Sequence, residues 1–104
     1  MSTNKSFSNE TAERYSRALF EVSKELNELD KVENDVKNFQ SLFTSNLDIK
    51  NYLKNPTQST NEQKKFINLL SDSLDFSKNL KNFFLLLIEK RRIFFINKIF
   101  DSFL

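Results

Sequence analysis

The segment that decides the fold is ERYSRALF, Glu13 to Phe20. Apolar residues in and around it recur at alternating spacings of three and four, which is typical of the buried face of an α-helix. They are Ala12, Tyr15, Leu19, Val22, Leu26 and Leu29. At about 100° per residue, Tyr15, Ala18 and Val22 form a second strip beside that face. The pattern predicts a first helix whose second strip either packs in the core or accepts another helix.

The composition predicts an all-α protein. The 104 residues include no glycine and one proline, so the residues that form tight β-turns are nearly missing. This length is typical of one domain. We therefore predict a single-domain bundle of six helices, with a flexible leader at residues 1–8 and a helical domain at residues 9–104.

The sequence contains neither cysteine nor histidine. Thiolate nucleophiles, thiolate metal sites and the commonest general base are therefore excluded. Residues 1–8 lack the apolar core of a signal peptide. We predict no catalytic residue, no metal site and no cofactor.

Capping and helix-breaking residues divide the chain into six predicted helices. Their predicted bounds are Ser8 or Asn9 to Leu29, Lys31 to Phe43 after an Asp30 cap, Leu47 to Leu53 before Pro56, a Thr60 and Gln63 capping box to about Leu74, Ser77 to Arg92, and a last helix carrying Ile93 to Phe103.

The predicted fifth helix contains six consecutive apolar residues, Phe83 to Ile88. Such a helix is central or covered on two sides. Asn79, Phe83, Leu86 and Lys90 share one side of it, an apolar centre with polar ends that is typical of a groove rim. The alternative is that Phe83 and Leu86 fill a second side of the core. A membrane-spanning helix needs ~20 apolar residues, and the charged run from Glu89 follows after six.

Three segments in this order resemble a known family: ERYSRALF, LKNP from Leu53 to Pro56, and NFFLLLIEKRRI from Asn82 to Ile93. The chain resembles the delta subunit of F-type ATP synthases, whose mitochondrial counterpart is the oligomycin sensitivity conferral protein. The resemblance runs from about Thr11 to Leu104 and covers the family's N-terminal helical domain. It implies a non-catalytic stator subunit whose first and fifth helices bind the N-terminal helix of an alpha subunit of the catalytic head.

The resemblance places Tyr15 and Ala18 at this groove and an aliphatic residue at Leu86. Helical spacing adds the other positions, and the predicted groove residues are Tyr15, Ala18, Val22, Asn79, Phe83, Leu86 and Lys90. The sequence departs from the family pattern at Ser16, where alanine is usual, and at Lys90, where asparagine or glycine is common.

The resemblance also implies a location and a missing part. The family has a further C-terminal domain that contacts the peripheral-stalk b subunits, and we expect that domain to be absent here. The expected location is the cytoplasmic face of the bacterial inner membrane, as a peripheral part of the ATP synthase and without membrane insertion.

Two other functions fit parts of the sequence. From Ser77 onward six basic residues oppose two acidic ones, a net charge of +4. A small nucleic-acid-binding module could use the basic residues Lys90, Arg91, Arg92 and Lys98. The net positive charge of this segment is, however, far below that typical of nucleic-acid-binding surfaces. Glu21 and Glu25, one helical turn apart, could serve an enzyme, but carboxylates at this spacing are typical of a solvated surface. The sequence favours the stator prediction over both.

Overall fold

The computed structural model describes the backbone of residues 2–55 and 57–104 and the side chains of residues 9–55 and 57–104. The described residues form six α-helices and one short 3-10 turn and contain no β-strand. The elements are α1 (Ser2–Glu25), α2 (Leu29–Ser45), α3 (Leu47–Lys54), α4 (Thr60–Leu74), α5 (Lys78–Glu89), the 3-10 turn η1 (Ile93–Phe95) and α6 (Ile96–Phe103). The predicted all-α, six-helix fold is confirmed.

Three phenylalanines from three helices meet at the centre of the bundle. Phe39 on α2, Phe84 on α5 and Phe100 on α6 are almost fully buried. Their ring centroids lie 5.0 to 5.6 Å apart, within the range of favourable tilted and edge-to-face contacts. Because each helix contributes one ring, this cluster joins distant parts of the sequence in one core.

The α5 helix is central, as its apolar run predicted. Leu80, Phe84, Leu87 and Ile88 are completely buried, while Leu86 keeps 42% of its surface exposed. The α4 helix packs along α5, α1 packs along α6, and α3 packs on α2 and η1. Helix α1 also contacts α5, and the exposed Leu86 shows that α5 is not fully covered.

The buried face of α1 differs from the predicted one. It runs through Ala12, Ser16, Leu19 and Ser23, none of which is more than 6% exposed. These positions follow helical spacing, but two are serines and carry no hydrophobic signal. Val22 and Leu26, predicted for the buried face, are 41% and 55% exposed. The predicted face was therefore wrong in its second half, and the apolar surface of α1 left open is larger than expected.

Helix α1 ends at Glu25, before the predicted end at Leu29. Asn27 adopts the left-handed conformation with φ of 58°. The Glu28 N–H then donates to the Ser23 carbonyl at 2.8 Å, and the Asn27 N–H to the Lys24 carbonyl at 3.1 Å. This pair of bonds is a Schellman motif, which normally uses glycine. The end was missed because asparagine replaces glycine in a chain that has none.

Helix α5 ends in the same way. It stops at Glu89 instead of the predicted Arg92, and Arg91 takes a φ of 57°. The Arg92 N–H donates to the Leu87 carbonyl at 2.7 Å, which closes the helix. The η1 turn follows, so the weakly marked boundary between the fifth and sixth helices is a left-handed residue plus a 3-10 turn. An arginine in this conformation gives no sequence signal, because the side chain itself disfavours it.

Two predicted N-terminal caps are shifted by one or two residues. Ser59, not Thr60, caps α4 by accepting a hydrogen bond from the Glu62 N–H at 3.1 Å. Glu28, not Asp30, precedes α2, and it makes no side-chain capping bond. The third helix, predicted from Leu47 to Leu53, extends from Leu47 to Lys54.

The α3 boundaries follow directly from the sequence. The Asn46 side chain accepts a hydrogen bond from the Ile49 N–H at 3.2 Å and so caps the helix. Asn55, which precedes the proline in the sequence, is extended with a ψ of 111°, as steric contact with a following proline requires.

The start of α1 also differs from the prediction. The helix begins at Ser2, upstream of the predicted N-cap at Ser8 or Asn9. The predicted flexible leader, residues 1–8, lies outside the residues whose side chains the structure describes and stays a prediction. None of the helices in the described part of the chain combines the length and apolarity needed to cross a bilayer.

Candidate functional site

A groove of about 410 Å³ lies between α1 and α5. Most of its lining is apolar and comes in roughly equal parts from the two helices. The lining residues are Arg14, Tyr15, Ala18, Leu19 and Val22 from α1, and Asn79, Asn82, Phe83 and Leu86 from α5. We call this surface the α1–α5 groove.

Six of the seven predicted groove residues line this one cavity: Tyr15, Ala18, Val22, Asn79, Phe83 and Leu86. The seventh, Lys90, is the exposed residue that follows α5, and its N–H donates to the Leu86 carbonyl at 3.0 Å. It is not among the lining residues. The structure therefore assembles the predicted groove without its predicted basic end, and whether the six residues bind a partner stays a prediction.

The floor of the groove is formed by buried side chains. Leu19 and Phe83 are 2% and 7% exposed, respectively. The Tyr15 ring meets the Phe83 ring edge to face, with centroids 6.4 Å apart and planes at 72°. Such a pair contributes on the order of 1 kcal/mol beyond its buried area. Phe83 thus packs in the core and also lines the groove, and its contact with a partner stays a prediction.

The walls of the groove are apolar and open to solvent. Val22 and Leu86 are 41% and 42% exposed, and Ala18 is exposed between them. Because alanine has no side chain beyond Cβ, the groove is least obstructed at Ala18, and a helix backbone could approach closely there. This combination of a buried aromatic floor and exposed aliphatic walls favours an apolar ligand that lies along the groove.

One end of the groove is held by a hydrogen bond between the two helices. Asn79 Nδ2 donates to Ser23 Oγ at 3.0 Å, and the Ser23 side chain is completely buried. The Tyr15 and Phe83 contact lies toward the other end. Since α1 residue numbers rise while α5 numbers fall between the two contacts, the helices run in opposite directions along the groove.

Three lining residues were not predicted: Arg14, Leu19 and Asn82. Arg14 lies four residues before Ala18, and Asn82 lies three residues after Asn79, so helical spacing alone could have included both. Leu19 was assigned to the buried face and also reaches the groove floor. The sequence thus contained the signal for these positions.

The opposite side of α1 packs on α6. Ser16 Oγ bonds the Ser102 hydroxyl at 3.0 Å and also donates to the Glu13 carbonyl at 3.0 Å. The serine that departs from the family pattern therefore makes a contact between helices. Phe20 is 41% exposed, and its ring meets the Phe103 ring edge to face, with centroids 6.4 Å apart.

A contact between α4 and the end of α5 perturbs one carboxyl group. Lys64 Nζ donates to Glu89 Oε1 at 2.9 Å. This hydrogen bond, together with the positive charge of Lys64, holds the pKa of the Glu89 carboxyl below its ordinary value of 4.5. Arg91 Nη1 donates to Thr60 Oγ1 at 3.3 Å beside it.

The residues of the two alternative functions form no comparable site. Glu21 and Glu25 are exposed on α1 and share a shallow surface depression with Lys24. No group of three acidic side chains in the described residues is arranged to hold a metal ion. Arg91 contacts Thr60, and Lys98 lies on α6, 3.5 Å from the Asn9 side-chain oxygen. The α1–α5 groove is the better developed surface.

Comparison with known proteins agrees with the resemblance. Residues 11–104 match the family described as ATP synthase delta (OSCP) subunit. The ATP synthase subunit delta of Pelagibacter ubique is 38% identical over 99% of this chain and 56% of its own length. Those of a Nostoc species and of Trichormus variabilis are 33% and 32% identical over 98% of this chain and 55% of their own lengths.

The chain thus spans about half the length of the curated relatives it matches. The match covers all six helices except the first part of α1. The similarity therefore concerns the whole helical bundle and not an isolated motif. On this basis the chain belongs to the ATP synthase delta (OSCP) subunit family.

Proposed function

We propose that this chain is a non-catalytic stator component of an F-type ATP synthase that binds the N-terminal helix of an alpha subunit in the α1–α5 groove. The observation that carries the proposal is the groove itself, which gathers six residues predicted from the family resemblance and from helical spacing. Its position between the first and fifth helices is the one that the resemblance implies.

The dimensions of the groove suit a helix. On α1 the lining runs from Arg14 to Val22, which at 1.5 Å per residue is about 12 Å, or roughly two helical turns. A ligand helix with apolar residues at positions i, i+3 or i+4, and i+7 would present one stripe to a groove of this length.

The exposed walls supply the driving force. Val22 and Leu86 have about two fifths of their surfaces still in water. Covering the remainder is worth about 1 kcal/mol for each side chain. The ligand side chains gain a similar amount, so the groove supports an apolar anchor contact while charged residues around it guide the encounter.

This binding would involve no chemistry in the subunit. A stator holds the catalytic head still while the rotor turns, so that proton flow drives conformational change in the head. The requirement is slow dissociation, which buried apolar anchors provide. The resemblance assigns the contact with the b subunits to a further domain of the family, outside the length that this chain spans. The expected location of the chain is the cytoplasmic face of the bacterial inner membrane.

The proposal is tested with a synthetic peptide of the N-terminal segment of the alpha subunit from the same organism. We expect the peptide to shift the backbone NMR signals of α1 and α5, with the largest changes at Ala18, Val22 and Leu86. A scrambled peptide of the same composition is the control. Signals that change only on α3 or α6, or a scrambled peptide that binds equally well, would exclude groove binding.

A further inference from the structure

Asp35 is a buried carboxylate that lies outside the groove. It is on α2, and its side chain is 1% exposed. Its Oδ1 accepts a hydrogen bond from Lys31 Nζ at 2.9 Å, and its Oδ2 accepts one from the Ser77 backbone N–H at 2.9 Å. Lys31 Nζ also donates to the Asp75 carbonyl at 2.7 Å. These contacts join α2 to the short segment that connects α4 with α5.

Ser77 is the N-cap residue that directly precedes α5. Its Oγ caps the helix by accepting a hydrogen bond from the Leu80 N–H at 3.1 Å. The N-terminal end of a helix carries a partial positive charge, which an acidic residue in the first turn normally offsets. The first turn of α5 has none and instead contains Lys78 and Lys81. Asp35 therefore provides, from another helix, the negative charge that α5 lacks.

The α1–α5 groove begins at Asn79, two residues after Ser77. Asn79 lines its end and bonds Ser23 on α1, and Phe83 follows one turn later beneath Tyr15. Any rotation or sliding of the first turn of α5 would move both residues relative to α1. We propose that Asp35 is a positioning residue for the α1–α5 groove: its bond to Ser77 holds α5 in the register that places Asn79 against Ser23. The proposal rests on the proposed function for its effect on binding but not for its effect on geometry.

The test replaces Asp35 by asparagine. The variant Asp35→Asn keeps the size of the side chain and removes the charge. We expect the Ser77 amide proton to move upfield and the nuclear Overhauser contact between the Asn79 side-chain amide and Ser23 to weaken. Affinity for the alpha N-terminal peptide should fall by about tenfold, the scale of effects from residues that touch no ligand directly.

Two controls separate positioning from general destabilisation. Asp30→Asn makes the same change at an exposed position in the first turn of α2 and should leave the Ser77 signal and the affinity unchanged. Leu53→Ala removes buried side-chain volume from α3 and should lower stability at least as much, yet leave the affinity of the folded protein as it was. If Leu53→Ala weakens peptide binding as much as Asp35→Asn does, Asp35 has only a structural role.

A further variant covers the case in which Asp35→Asn does not fold. Lys31→Met removes the hydrogen bonds of Lys31 to Asp35 and to the Asp75 carbonyl. Because the Lys31 side chain is 45% exposed, this change alters the buried core less than a change at Asp35 does. We expect the same loss of the contact between Asn79 and Ser23, in smaller measure. An unchanged contact in Asp35→Asn, or in Lys31→Met where Asp35→Asn does not fold, would overturn the proposal. If the wild-type protein does not bind the peptide, the proposed function is refuted. The contact between Asn79 and Ser23 in the variants would still test the positioning role of Asp35.

Discussion

Replacing Ala18 with aspartate tests the groove at the small residue in its centre. In the free protein the change should be mild, because Ala18 is exposed in the middle of α1. Aspartate is about 0.6 kcal/mol less favourable than alanine inside a helix. Arg14, one turn earlier, offsets a few tenths of this, and Glu21 on the following turn opposes it by a similar amount. We therefore expect the free energy of unfolding to fall by about 0.6 kcal/mol and the melting temperature by about 2 to 5 °C.

The same aspartate should have a much larger effect on binding. A helix seated in the groove covers position 18 with apolar surface, so the carboxylate would lose its water without gaining an equivalent partner. Burying an unpaired charge costs at least about 3 kcal/mol, which weakens Kd by more than about a hundredfold. The exposed residue Arg14 could reduce this loss but not cancel it, because an exposed ion pair contributes no more than about 1 kcal/mol.

The assay is calorimetric titration with the alpha N-terminal peptide, beside a thermal melt followed by circular dichroism. Ser41→Asp is the matched control, since it adds the same charge at an exposed position on α2. The control should bind as the wild type does. Should Ala18→Asp retain a Kd within threefold of the wild type, Ala18 does not lie in the interface and the groove assignment is wrong at its centre.

Two further changes test local features. Asn27→Ala should lower the free energy of unfolding by about 1 kcal/mol, because alanine tolerates the left-handed conformation poorly, whereas Asn27→Gly should not destabilise; urea titration compares the two. Lys64→Met should raise the pKa of Glu89 toward 4.5, as measured by an NMR pH titration. Since that pKa is depressed in the folded state, the stabilisation it brings is present above pH 4.5 and is lost as the pH falls through the folded value. An unchanged Glu89 titration would mean that the Lys64 contact does not persist in solution.

The groove could be predicted because its signals are local. Ala18 and Val22 on α1, and Phe83 and Leu86 on α5, follow helical spacing that is independent of where the helices end. The family resemblance then named which two helices to combine. Spacing and resemblance together were enough to find six lining residues.

The C-terminal ends of α1 and α5 could not be predicted in the same way. Glycine after a helix is the usual sign of its end, and here Asn27 and Arg91 occupy the corresponding positions. The buried face of α1 was misplaced for a related reason, since Ser16 and Ser23 are buried through partners that are distant in sequence, Ser102 and Asn79. Pairing of this kind is a property of the tertiary structure, and no single helical pattern contains it.

The absence of glycine at the end of α5 has a benefit as well as a cost. A non-glycine residue in the left-handed region is unfavourable by about 1 to 2 kcal/mol, but unlike glycine it keeps a side chain. Arg91 uses that side chain to reach Thr60, in the first turn of α4, across a sequence separation of 31 residues. The corner that ends α5 is therefore also a cross-link between two helices. Substituting glycine for Arg91 would relieve the backbone strain but would also remove the hydrogen bond to Thr60. The residue with the lower backbone strain would therefore leave α4 and α5 less firmly joined.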